Sequence, residues 1–230
     1  TLEKVASPGL SGFVTQVNNE IYIVTAKHGC IDATKQKLIT NTFVHFKPAP
    51  NGEIINSEPA EILGVCPYHD IGILKIKDAN FKFPWNPGVL GINKKLQPGD
   101  KVFTLGSPSG NMFCITEGVA INTNPLKGFI KYPLGLMELS AQAEHGNSGG
   151  PILDDFGKII GMLVSVRTDT LHQTSLAIPS DIIAKDLEKI ASNKPIIHST
   201  IHARFGNSWE LNTFSKGWGA DPPKQKGVII

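Results

Sequence analysis

Three side chains in this sequence have the types needed to carry out one kind of chemistry: His28, Asp70 and Ser148, in that order along the chain. Ser148 lies in Glu144-His145-Gly146-Asn147-Ser148-Gly149-Gly150-Pro151. A serine hydroxyl is a poor nucleophile at neutral pH and needs a base to take its proton. An imidazole base in turn needs a carboxylate to fix its tautomer and stabilise the imidazolium. Glycines around the serine allow a tight turn and a close approach of backbone to ligand. In the Gly146-Asn147-Ser148 turn, the Gly146 and Ser148 N–H groups would face an oxygen on the attacked carbon. Losing one such donor costs about 10²–10³ in rate.

Each candidate must be held by a rigid element, and each lies at the edge of a predicted strand. Gly12–Val17, Asn18-Asn19-Glu20 and Ile21–Thr25 read as strand, turn and strand, with β-branched and aromatic residues alternating, and His28 follows directly. Asp70 heads Ile71-Gly72-Ile73-Leu74-Lys75-Ile76, an apolar run short enough for a buried strand. A carboxylate there is partly buried and needs hydrogen-bond partners. Ser148 precedes the strand candidate Pro151–Leu153, which Asp154-Asp155-Phe156-Gly157 joins to Lys158–Val166 as a tight hairpin. Further strands are expected at Thr42–Phe46, Glu61–Val65, Lys101–Leu105, Phe113–Ile121 and Met137–Gln142. The loop Phe81–Gly91 reads as the connection between two halves. One strong helix comes late: Pro179-Ser180-Asp181 reads as its cap, with Ile182, Ile183, Leu187 and Ile190 on one face. Lys185, Asp186, Glu188 and Lys189 lie mostly on the other.

Composition narrows the classes. The 230 residues are 40% hydrophobic and 18% charged, as in an ordinary globular chain with ample length for a core. The 23 glycines and 16 prolines suit many short strands rather than a helical bundle. A net charge of +2 speaks against a nucleic-acid partner, and no apolar run is long enough to span a bilayer. Cys30, Cys66 and Cys114 are widely spaced and odd in number, which argues against a full disulfide framework. The seven histidines show no metal-ligand spacing, so no metal and no cofactor are expected. The chain begins at Thr1 without a signal peptide and reads as a mature or trimmed product. Gly146–Gly150 also fits the G-x-S-x-G elbow of α/β-hydrolases, whose acid and histidine follow the serine. Asp169 and His172 follow it, as do His198 and His202, but Asp169 and His172 sit too close together for that fold, and the alternating strand–helix pattern is missing.

The order of these motifs resembles the chymotrypsin-like serine proteases, and among them the HtrA/Deg family, over most of residues 9–190. Gly9-Leu10-Ser11-Gly12-Phe13 is similar to that family's G-S-G-F opening strand, and Thr25-Ala26-Lys27-His28 to its T-x-A-H motif. His69-Asp70-Ile71-Gly72-Ile73-Leu74 resembles its D-I-A-L-L strand. Leu96–Asp100 and Leu105–Gly110 resemble its L-x-x-G-D and G-N-P-x-G signatures. Gly146–Pro151 matches G-N-S-G-G-P, and Ala177-Ile178-Pro179-Ser180 matches A-I-P-S before a closing helix.

The resemblance implies an all-β fold of two six-stranded antiparallel barrels, about 1–90 and 91–178, closed by a helix at about 179–191. It implies a serine endopeptidase acting on unfolded or exposed polypeptides, with His28 as base and acid, Asp70 as orienting acid and Ser148 as nucleophile. Gly146, Asn147 and Ser148 would form the oxyanion hole, and Ala141, Gln142 and Ala143 with Leu163, Val164 and Ser165 would line the substrate pocket. Gln142 stands where trypsin-like enzymes carry the acid that selects Lys or Arg, so small or medium apolar side chains are expected there. Glu144 and His145 replace the family's asparagine and proline, which makes His145 a candidate pocket or pH-sensing residue. The resemblance alone implies a homo-oligomer, a trimer, and favours the cell envelope, periplasm or an organelle. Residues 191–230 read as a C-terminal extension, the truncated start of a PDZ domain, with Gly227-Val228-Ile229-Ile230 similar to a first PDZ strand. Two other functions fit the same motifs: a narrow-specificity processing protease of the polyprotein-cleaving type, and a latent module that holds peptides by β-augmentation.

Overall fold

The computed structural model describes residues 9–46, 57–92, 96–108, 113–123, 135–168 and 173–195. Residues 196–230 of the tail expected to begin a PDZ domain, the segment before Gly9, and Asp169 and His172 lie outside these residues. The described chain is mostly β, with one α-helix.

The first half opens with strands β1 (Gly12–Val17) and β2 (Glu20–Thr25), paired antiparallel from Gly12 opposite Thr25 to Val17 opposite Glu20. Asn18 and Asn19 take φ of 51° and 62°, so both residues of the two-residue turn are left-handed. That geometry matches the right-handed twist of a hairpin, and asparagine tolerates it. A 3₁₀ turn, Lys27–Gly29, follows at once. Next come a short ribbon of β3 (Ile31–Asp32) with β4 (Lys37–Leu38), then β5 (Thr42–Val44), β6 (Glu58–Val65) and β7 (Gly72–Ile76). The sheet order is β1-β2-β7-β6-β5, five strands.

The second half contains β8 (Lys101–Gly106), β9 (Cys114–Asn122), β10 (Met137–Leu139), β11 (Pro151–Leu153), β12 (Ile159–Arg167) and β13 (Thr174–Pro179). These six close into a barrel in the order β10-β13-β12-β11-β8-β9. Of the two six-stranded barrels expected, one is therefore present as a closed barrel, and the described first half is a five-stranded sheet with a separate ribbon. The β11–β12 hairpin is fixed by Asp154, whose Oδ1 accepts from the Phe156 and Lys158 N–H groups.

One core joins the halves. Phe13, Val24, Ile71 and Ile73 of the first sheet pack in a single cluster with Met162, Val164, Leu176 and Ile178 of the barrel. Helix α1 (Ser180–Ala191) adds Ile183 and Leu187 to the same cluster. The connector between the halves is extended and bonded on both sides. Gly88 N–H donates to Val14 O at 2.8 Å, and Gly91 N–H donates to Ile159 O at 2.8 Å.

Two expectations about α1 need correction. Its N-cap is Pro179, with no side-chain cap, because the Ser180 hydroxyl instead donates to Gly91 O at 3.0 Å. Asp186, expected on the polar face, is 0% exposed. Its Oδ2 lies 2.5 Å from Nδ1 of His69, itself buried in the loop before β7. Cys66 completes this knot, its Sγ accepting the His69 N–H at 3.3 Å. Cys66, His69 and Asp186 group their ligand atoms within 4.8 Å, a grouping that the histidine spacing does not lead one to expect. Ligands about 2.0–2.3 Å from one zinc stand more than 3 Å from each other. The 2.5 Å imidazole–carboxylate contact is instead that of a hydrogen bond, and it ties α1 to the loop that carries Asp70.

Candidate active site

β2 ends at Thr25, and the 3₁₀ turn places the half-exposed His28 at the sheet edge. Asp70, 5% exposed, lies just ahead of β7, which pairs with β2. That pairing brings the two together. Asp70 Oδ1 accepts the His28 backbone N–H at 2.8 Å, and Oδ2 lies 2.6 Å from His28 Nδ1. Lys27 N–H donates to the Asp70 backbone carbonyl at 3.2 Å, so the contact is braced on both sides of the imidazole.

Burial pushes the Asp70 carboxyl up, but the bonds from His28 outweigh it and hold the group below the usual carboxylate value. Asp70 is thus an ionised acceptor at neutral pH. A carboxylate cannot donate, so the proton in the 2.6 Å contact belongs to Nδ1, and neutral His28 keeps its lone pair on Nε2. That is the tautomer a general base requires. Burial pushes the nearby Cys30 thiol to about 12 and Cys66 to about 11, which removes both as nucleophiles at neutral pH.

The Ser148 turn comes from the barrel. Asn147 N–H donates to Glu144 O at 3.1 Å and Gly150 N–H to Asn147 O at 2.9 Å. Gly149 N–H donates to Leu163 O at 2.7 Å, and Leu163 N–H to Gly150 O at 2.9 Å, so the turn is laced to β12. Gly146 has φ +103°, and a Cβ there would lie 2.2 Å from Ser107 O. Only glycine satisfies both conditions.

His28 and Ser148 line one cavity of about 620 Å³. Of the expected pocket residues, Ala143, Leu163, Val164 and Ser165 line it as well. Gln142 does not: its side chain is exposed and its carbonyl accepts from Thr116 Oγ1 at 2.9 Å. Ala141 is buried behind Gly118 and Ser175. His145 and Glu144 stand at the cavity, both exposed. Sequence reasoning missed Val166 and Gln173 among its walls. Gln173 Nε2 donates to Ala143 O at 2.8 Å and so fixes the wall residue, a contact with no sequence signal.

Residues 10–162, more than half of the chain, match the family of trypsin-like peptidase domains. The chain belongs to this family. Among curated relatives, it is 26% identical over 185 residues to the serine protease Do-like HtrB of Bacillus subtilis, covering 76% of this chain and 37% of that protein. It is 26% identical over 232 residues to a serine protease HtrA-like of Staphylococcus aureus, covering 96% of this chain and 28% of the relative. It is also 31% identical to the chloroplastic protease Do-like 5 of Arabidopsis thaliana over 138 residues, covering 56% of this chain and 41% of the relative. The chain thus spans between about a quarter and two fifths of these relatives. Among solved structures, the HtrA-type protease AlgW with a decapeptide superposes at TM-score 0.70, with 19% identity, covering 96% of this chain and 62% of that one. A Mycobacterium tuberculosis protease in its active form superposes at TM-score 0.62, with 22% identity, covering 82% of this chain and 76% of that one. These likenesses extend the trypsin-like assignment to the fold.

Proposed function

We propose that this chain carries the protease domain of an HtrA-like serine endopeptidase, which cleaves unfolded or exposed polypeptides through an acyl-enzyme. One observation carries the reading: the two oxygens of Asp70 grip the backbone N–H and Nδ1 of His28, beside a cavity that Ser148 also lines. His28 takes the Ser148 proton as the hydroxyl oxygen attacks the scissile carbonyl, then gives it to the leaving amine. Asp70 stays ionised and stabilises the imidazolium. Water repeats the sequence to release the acid. The Gly146 and Ser148 N–H groups hold the oxyanion; the Asn147 N–H is committed to Glu144 O and drops out of that set.

The two-barrel architecture is the frame we assign, with barrels at about 1–90 and 91–178 and residues 191–230 as an extension. The antiparallel pairing throughout the five-stranded sheet of the first half and the core it shares with the closed barrel support it. The walls contributed by Ala143, Leu163 and Val164 favour small or medium apolar side chains next to the scissile bond.

A fluorophosphonate probe tests the reading. Ser148 should label in the native chain, and labelling should vanish in Ser148→Ala. A folded native chain that does not label would turn the reading into a latent peptide binder. A digest of a denatured model protein then separates many cuts, expected for quality control, from the few of a processing enzyme. Cleavage mainly after Lys or Arg would sink the apolar preference.

A further inference from the structure

Ser11 sits in the segment just before β1, in the first half of the chain, yet its contacts converge on the nucleophile turn of the second. It is 8% exposed. Its Oγ–H donates to Gly146 O at 2.6 Å, while the same oxygen accepts the Ser107 N–H at 3.0 Å. Its backbone N–H donates to Ser148 O at 3.0 Å. Its carbonyl accepts from Thr25 Oγ1 at 2.7 Å, at the end of the strand that leads to His28. A Cβ on Gly149 would lie 2.2 Å from that carbonyl, so the approach is as close as glycine allows.

We propose that Ser11 is a positioning residue for the oxyanion hole. The proposal rests on the peptidase reading above, in which Gly146 and Ser148 supply the two donors. Ser11 holds the carbonyls of just these two residues, one through its side chain and one through its backbone. Those carbonyls belong to the peptide planes that follow Gly146 and Ser148, so Ser11 clamps the planes on either side of the Asn147–Ser148 peptide that carries the Ser148 N–H, and it anchors Gly146, whose N–H is the other donor. Gly146 needs such a restraint because, without a Cβ, nothing local confines its φ to +103°. The side chain must give one hydrogen bond and receive another at a single atom, and among small side chains only a hydroxyl does both well. Replacing Ser11 by alanine leaves the Gly146 carbonyl and the Ser107 amide without these partners, and the turn gains freedom to rotate.

Preorganised donors act on the charge that develops in the transition state, with little effect on substrate binding. Ser11→Ala should therefore lower kcat by about tenfold to a hundredfold, below the 10²–10³ of losing a donor outright, with KM nearly unchanged. A peptide boronate, a tetrahedral analogue, should lose affinity by the same factor as kcat/KM. Ser11→Thr, which keeps the hydroxyl, should restore most of the loss. A residue that only stabilised the fold would lower the melting temperature and leave the kcat–KM split and boronate affinity untouched. If Ser11→Ala does not fold, Ser11→Cys, close in size but a weak donor, is measured in its place with the same split expected.

An active wild type with Ser11→Ala at undiminished kcat overturns the positioning role and leaves the peptidase reading standing. An inert wild type overturns the peptidase reading, and the amide NMR resonances of Gly146 and Ser148 then decide about Ser11. Shifts confined to that turn in Ser11→Ala uphold the restraint, and unshifted resonances overturn it.

Discussion

Replacing Asp186 by leucine removes one side of the tie between α1 and the loop before β7. The carboxylate is 0% exposed, and its partner His69 is buried 2.5 Å away. Breaking such a pair costs roughly 3–5 kcal/mol, because a buried polar group loses the contact that offset its desolvation. In a domain of this size each kcal/mol moves the melting temperature by about 2–4 °C, so the loss is about 6–20 °C. His69→Leu should cost a similar amount from the other side. Replacing both with leucine removes the desolvation penalty together with the contact, and such apolar replacements are often neutral or stabilising. The double variant should therefore recover most of the loss of either single one. Urea unfolding followed by circular dichroism, with unchanged m values, gives the cycle directly. Singles that cost under about 1 kcal/mol, or a double variant whose loss equals their sum, would refute the argument that the two groups work as a buried pair.

Other expectations follow from the same geometry. Asp70→Asn should cut kcat by about 10⁴, since the amide no longer selects the Nδ1–H tautomer of His28; steady-state kinetics on a peptide substrate would show it. The folded Asp70 carboxyl lies below its unfolded value, so its contribution to stability is present above the unfolded pKa of about 3.9 and fades as pH falls through the lower folded value. Urea midpoints of wild type and Asp70→Asn, compared from pH 6 downward, should therefore converge only in that acid range; a gap that widens there contradicts the sign. Gly146→Ala, with its Cβ 2.2 Å from Ser107 O, should slow fluorophosphonate labelling by about a hundredfold or more. All three cysteines are reduced, in no disulfide, and burial raises Cys30 to about 12 and Cys66 to about 11. A thiol titration at pH 8 should therefore count one reactive group, Cys114, in the folded chain and three after unfolding, whereas fast reaction of a second in the folded chain would contradict the burial.

What the sequence made legible was local. The alternation in β1 and β2 and the Asn18-Asn19 turn are short-range signals, and both appear at the expected place. The apolar run after Asp70 became the strand beside β2, which explains how residues 42 apart meet. Distant pairings were hidden. Asp186 reads as one charge among several on a helix face, and only the fold brings it to His69, 117 positions earlier. Ser180 has the composition of a cap, but Gly91 outcompetes the helix for its hydroxyl. The ribbon of β3 and β4, two residues each, is too short for any periodicity to announce it. Ser11 was visible only as one letter in an opening motif, because its partners lie 96 and 135 positions away.

The candidate site draws His28 and Asp70 from one half and Ser148 from the other, and the two meet across a shared core. With the roles proposed above, a chain in which only one half has folded would hold either a base without a nucleophile or a nucleophile without a base. Under the proposed mechanism, cutting ability would require the docking of the halves. If the proposed triad is right, a newly made copy would cut nothing until both halves have folded and docked. On the same reading, any condition that parted the halves would take the base away from the nucleophile.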